Sequence, residues 1–150
     1  MQANTMAMVV DSMGKAHGDP SLPDEAAVKL EFDRTLGTTP GITVFLLSTS
    51  DGRALASYSA ALAVDPRRLA AMSNSFLTLG ETMAKELGMA CADHATVRTN
   101  DGNVVLVRIE GQRPLTLAAV ARPDTTLATL LFATRECANR IRALIPAVPQ

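Results

Sequence analysis

Apolar and polar positions divide this chain into segments of two different periods. Residues 42–48 (ITVFLLS) form a short apolar run rich in β-branched side chains, and residues 53–58 follow after Ser50-Asp51-Gly52. A strand, an Asp-Gly turn and a second strand make a strong local signal for a hairpin. The pattern returns at residues 92–99, turns at Asn100-Asp101-Gly102 and continues at residues 103–110 (NVVLVRIE). A further turn at residues 111–114 leads into residues 115–121 (LTLAAVA). Gly52 and Gly102 read as turn glycines that supply a positive φ, rather than as phosphate or metal loops.

Between the strands the apolar spacing changes to three and four. Pro23-Asp24-Glu25 reads as a helix start with Ser21 or Leu22 near its cap, and Ala27, Val28, Leu30, Phe32 and Leu36 give it an amphipathic pattern. The breaker cluster at residues 37–41 ends it. Asp65 and Pro66 open a longer helix that runs to the glycine at position 88. Its main stripe is Leu69, Met72, Phe76, Leu79, Met83 and Leu87, the face expected to cover the sheet. Burying such residues is worth about 1.5–3 kcal/mol each. A second set, Ala70, Leu77 and Ala84, with Ser73 and Gly80 between the stripes, exceeds what one sheet face needs. Gly80 costs roughly 1 kcal/mol against alanine inside a helix, which close approach of another backbone would explain. The plainer reading makes Ala70 and Ala84 good helix formers at the surface. A last helix starts at Asp124, carries Leu127, Leu130, Leu131, Cys137, Ile141 and Leu144, and stops at Pro146.

The order is helix, two strands, helix, three strands, helix. Residues 42–48 and 115–121 are apolar on both faces, so helices are expected on both sides of an antiparallel sheet, a three-layer α+β sandwich. Residues 92–99 are more polar, with His94, Thr96 and Arg98 alternating with Ala95, Val97 and Thr99, as an edge strand would be. Residues 1–22 show no periodicity and are read as a flexible leader, leaving residues 23–146 as a single domain.

Composition narrows the function. Hydrophobic residues make up 47% and charged residues 19% of the 150 positions, enough for a packed core. The net charge of −1 lacks the basic excess of a nucleic-acid binder, and aromatic residues at 3% give no stacking platforms. No stretch reaches the ~20 apolar residues that cross a bilayer, and no secretory signal is visible at the start. Cys91 and Cys137 match no metal spacing and are read as two buried thiols in a reducing cytoplasm.

No nucleophile, acid–base pair or P-loop stands out, so no catalytic residue, metal site or cofactor is expected. Cys91 and His94, three apart, would point to opposite faces of a strand. His94 at a paired edge would bring two like charges together on protonation and weaken a dimer below pH ~6.5. Arg135, Arg140 and Arg142 read as a solvated helix face rather than a basic strip.

Thr38-Thr39-Pro40-Gly41-Ile42, the stretch at residues 50–56 (SDGRALA), the helix opening at residues 65–72 (DPRRLAAM) with Gly80, and residues 99–109 (TNDGNVVLVRI) occur in an order that resembles the Roadblock/dynein light chain family. The likeness is to its bacterial branch, partners of small Ras-like GTPases, and spans roughly residues 24–145. It implies a profilin-like fold, a five-stranded antiparallel sheet with the long helix on one face and the terminal helices on the other. It also implies a non-enzymatic cytoplasmic homodimer. Copies would pair along residues 92–99, through Ala92, His94, Thr96 and Arg98. They would also pair through the middle helix, at Leu69, Met72, Ser73, Phe76, Leu77, Gly80 and Met83. The polar positions Arg67, Arg68, Asn74, Thr78, Glu81 and Lys85 become candidate contacts for the GTPase or for a signalling or motor complex scaffolded there. The alternative is a sensory module enclosing a small ligand, which would need an apolar pocket with a few polar groups.

Overall fold

The computed structural model describes residues 19–60 and 64–146. Most of the proposed leader, residues 1–18, lies outside the described residues. Helix α1, Glu25–Thr38, is capped by Asp24, whose carboxylate accepts the Ala27 N–H at 3.1 Å. The cap thus falls after Ser21 and Leu22, because only Asp24 carries an acceptor at the right offset. Residues 19–22 are not leader but part of the fold: Asp19 forms an ion pair with Arg113, and Leu22 packs against the core.

Strands β1 (Ile42–Thr49) and β2 (Ala54–Ser59) form the first hairpin, and Gly52 adopts φ +95° at its turn. Helix α2, Pro66–Glu86, begins where the Asp65 carboxylate accepts the Arg67 N–H, and Gly88 at φ +70° follows its end. Strands β3 (His94–Thr99), β4 (Gly102–Ile109) and β5 (Leu115–Ala121) form the meander. At Gly102 the φ is +148° and an added Cβ would lie 2.5 Å from the Ala121 carbonyl oxygen, so this turn demands glycine. Helix α3, Leu127–Leu144, starts later than Asp124 because Thr126 is the residue whose hydroxyl accepts the N–H of Thr129, at 3.1 Å.

The strands form one antiparallel sheet in the order β2-β1-β5-β4-β3. β1 and β5 are buried along almost their whole length, while β2 and β3 are the edges. The main core lies between the sheet and the layer of α1 and α3. There Phe32 stacks on Phe45 with ring centroids 4.7 Å apart, beside Leu117, Leu130 and Ile141. Leu30 falls off the buried face of α1 and is exposed. Among the described residues, helix α2 alone covers the opposite face. The result is the expected α+β sandwich, with the helices distributed as the family resemblance implied.

Candidate functional site

Helix α2 turns a different face to the sheet from the one its hydrophobic stripe suggests. Ala70, Ser73, Asn74 and Leu77 point inward and are buried, with Ala70 packed in a small cluster with Leu46, Leu106 and Ala118. The large stripe points away: Met72 is 56%, Phe76 42%, Leu79 62% and Met83 59% exposed, and Leu87 is exposed beyond them. Leu69 alone of that stripe is half-buried, against the small cluster. Two assignments are therefore corrected. The set containing Ala70 and Leu77 covers the sheet, and the set containing Phe76 is the uncovered one. Ser73 and Leu77 are buried within the chain's own fold and are not available to a second copy.

The sheet surface under α2 explains this inversion. It carries Ser48, Arg108 and Thr116 between its apolar positions, all buried. Arg108, 7% exposed, donates Nη1 to Thr116 Oγ1 at 2.6 Å and to Asn74 Oδ1 at 3.2 Å. Asn74 Nδ2 in turn donates to Ser48 Oγ at 2.9 Å. Glu81 closes the network, taking Arg108 Nε and Nη2 at 3.1 and 3.0 Å. A buried guanidinium requires such partners, and Asn74 and Glu81, seven apart on one helix face, supply them. Asn74 thus leaves the set of outward contacts, and Glu81 is engaged within the chain. Sequence reasoning passed over Arg108, although the one charge within residues 103–109, a run otherwise apolar after Asn103, was the available signal.

The other candidates on α2 are placed as follows. Arg67, Arg68, Thr78 and Lys85 are exposed. Gly80 is half-buried, and among the described residues nothing lies within 4 Å of a Cβ added there, so none of them explains the glycine.

β3 pairs with β4 along its length, and its other edge has no strand partner among the described residues. His94 and Thr96 are half-buried, Arg98 is exposed, and Ala92 lies just ahead of the strand. His94 Nδ1 lies 3.0 Å from Asp93 Oδ1 and 2.9 Å from Arg135 Nη2. Asp93 sits below the usual carboxylate range, first through its hydrogen bond with His94 and then through the Arg135 charge. The arginines of α3 are thus not a free strip, since Arg140 also pairs with Glu31 at 2.9 Å and donates to Thr35. Cys91, expected to be buried, is exposed in the irregular stretch before β3, whereas Cys137 is buried and its thiol is pushed up by desolvation.

No group of three or more His, Cys, Asp or Glu side chains among the described residues could hold a metal ion. No helix among them is long and apolar enough to cross a membrane. An enclosed space of about 20 Å³ between β1, β2 and the start of α2, lined by Val44, Leu46, Tyr58 and Leu69, is too small for a metabolite. On the flank of α2 facing the β1–β2 turn runs an open groove lined by Ser50, Asp51, Gly52, Ser75, Thr78, Leu79 and Thr82.

These features define a profilin-like α+β domain in which, among the described residues, one helix covers the second sheet face and turns its larger apolar side chains outward. The sequence model of the Roadblock/LC7 domain family matches residues 28–119, and the chain belongs to that family. A search of curated proteins by sequence gives no match. Among solved structures the chain resembles Myxococcus xanthus MglB, with TM-score 0.68 and 16% identity over 77% of this chain and 92% of that one. It also resembles the gliding protein MglB of Thermus thermophilus, with TM-score 0.69 and 19% identity over 86% and 93%. An MglB described with a tetrameric arrangement gives TM-score 0.71 and 21% identity over 86% and 92%. LokiProfilin1, solved with rabbit actin, shares the architecture at TM-score 0.58 and 17% identity, over 82% of this chain and 99% of that one. At these identities the likeness is one of fold.

Proposed function

We propose that this protein is a non-enzymatic, cytoplasmic interaction module that works as a homodimer and docks a small Ras-like GTPase. The observation that carries the reading is the row of Met72, Phe76 and Met83 on the outer face of α2, on the same chain as a β3 edge that has no strand partner among the described residues. Soluble domains seldom leave a contiguous row of large apolar side chains wet, and a bare strand edge invites pairing. A second copy related by a two-fold axis covers both at once: its β3 continues the sheet through His94, Thr96 and Arg98, and its α2 packs near Gly80. The tetrameric arrangement described for one MglB supports self-association of such domains.

The GTPase partner comes from the family resemblance. On this reading Arg67, Arg68, Thr78 and Lys85 contact it, because they are exposed on α2 beside the apolar row. The test combines mass and capture. Light scattering at micromolar concentration is expected to give twice the chain mass. Tagged protein in native lysate is expected to retain a small GTPase whose recovery differs between GTP and GDP analogues. A stable single-copy species would overturn the dimer, and absence of a GTPase in both nucleotide states would overturn the partner.

A further inference from the structure

Most arginines of this chain are spent on its own carboxylates: Arg34, Arg108, Arg113, Arg122, Arg135 and Arg140 each form an ion pair. Arg53, Arg67, Arg68, Arg98 and Arg142 form none among the described residues. Arg53, Arg67 and Arg68 converge on one open groove between the β1–β2 hairpin and the first turn of α2, where Asp65 is the one carboxylate in the lining. Three positive charges against one negative leave a local excess of two, on a chain whose net charge is −1.

Backbone hydrogen bonds fix both walls and leave the guanidinium groups free. Arg53 N–H donates to Thr49 Oγ1 at 3.0 Å, and the Arg53 carbonyl accepts the Thr49 N–H at 2.9 Å. Arg67 N–H donates to Asp65 Oδ1 at 3.0 Å, so that carboxylate is engaged as the helix cap. Asp51 and Asp19 sit low mainly through hydrogen bonds with Thr49 and Ser21, and the Arg53 charge is the smallest of the influences on them. Neither acid neutralises Arg53. The face given to a second copy points elsewhere. Phe76 is nine residues beyond Arg67, about half a turn around the helix at ~100° per residue, and Arg53 is on the hairpin. Arg68, four residues before Met72, borders that face.

The exposure of the groove decides what it can hold. All three arginines are exposed, and an exposed ion pair changes an equilibrium by only about 1.5- to 5-fold. A single small anion is therefore held weakly. An acidic stretch of a protein already seated on α2 meets several arginines at once, its position set by the rest of the interface, so the factors multiply. Opposite charges on the two surfaces also speed their encounter. A nucleic-acid strand needs a longer run of cations, and here Asp65 lines the groove while Asp51 adjoins it. We propose that the groove of Arg53, Arg67 and Arg68 receives a segment rich in Asp or Glu, carried by the protein that docks on α2. The inference rests on the docking role given to α2 above; it adds the β1–β2 hairpin to that surface and carboxylates to the partner's.

Titrating the full chain with a hexaglutamate peptide at low salt, with amide chemical shifts as the readout, tests it. Shifts are expected at residues 52–54 and 65–68, and they shrink as salt rises because exposed charges are screened. Arg53→Ala combined with Arg67→Ala is expected to weaken the peptide about tenfold. Arg142→Ala, which removes an equally unpaired arginine on α3, is expected to leave it unchanged. Equal losses in the two variants, shifts spread evenly over the surface, or tighter binding of a hexathymidylate strand would each overturn the proposal. The outcome is separable from the identity of the partner. Peptide binding at these arginines by a chain that retains no GTPase supports the acidic docking site and removes only the GTPase. A chain that retains a GTPase but does not bind the peptide here keeps its partner and overturns this inference.

Discussion

Arg108 grips Glu81 with two parallel hydrogen bonds, Nε to Oε2 at 3.1 Å and Nη2 to Oε1 at 3.0 Å, so that a strand residue fixes the later turns of the helix above it. The guanidinium is almost wholly inside, and its remaining bonds go to Asn74 and Thr116. The apolar cluster under α2 is small, so this network carries much of the attachment of the helix to the sheet. Replacing Arg108 with Ala leaves Glu81 without its cation and takes one donor each from Asn74 and Thr116. These keep only the bond between them, Thr116 Oγ1 donating to Asn74 Oδ1 at 2.6 Å, and the Asn74 amide's bonds to Ser48 and the Ala70 carbonyl. A loss of about 2–4 kcal/mol is expected, read as a lower urea midpoint at unchanged m-value. Glu81→Gln keeps the shape and one acceptor and should cost about 1 kcal/mol.

Phe76→Glu separates the two roles of α2. Because Phe76 faces away from the sheet, the substitution should leave the fold of the single chain intact, with an unchanged far-ultraviolet circular dichroism spectrum. A charge on the proposed seam should nonetheless halve the mass in light scattering, since an unpaired buried charge is strongly unfavourable at an interface. A soluble dimer of normal mass would show that the seam lies elsewhere.

The two cysteines should react in sequence. Cys91 is exposed, while Cys137 is buried, contacts the Glu31 carbonyl at 3.9 Å and has its thiol pushed up by desolvation. Since the thiolate is the reactive form, a thiol reagent at neutral pH should label Cys91 first and reach Cys137 only on unfolding. Mass spectrometry of a time course in native buffer and in urea checks this, and a second native adduct appearing at the rate of the first would contradict it.

Acid should weaken the fold in a defined direction. Asp93, Asp19 and Asp51 all sit below the ordinary carboxylate range, held first by hydrogen bonds with His94, Ser21 and Thr49 and then by nearby arginines. The unfolded chain therefore binds these protons at higher pH than the folded one. The stability they give is complete above about pH 4 and is lost as pH falls through their lowered values. Urea midpoints taken from about pH 5 downwards should fall, and Asp93→Asn should flatten that slope. A midpoint rising with acid would reverse the sign and refute the argument.

The sequence by itself determined the elements and their order. Asp-Gly turns, the Asp65-Pro66 helix start and the polar alternation of residues 92–99 are local signals, and each stands where the pattern placed it, with ends moved by about one to three residues. Position along one element is set by neighbours in the chain, so periodicity can report it. It also showed that α2 has two apolar faces. Only the tertiary structure decided which face meets the sheet, because that depends on strands far away in sequence. Ser48, Arg108 and Thr116 make the sheet surface under α2 polar and tight, and it accepts Ala70, Ser73, Asn74 and Leu77 while turning the bulkier Met72, Phe76 and Met83 outward. A hydrophobic stripe records that something must cover it; what that something is depends on the surface opposite.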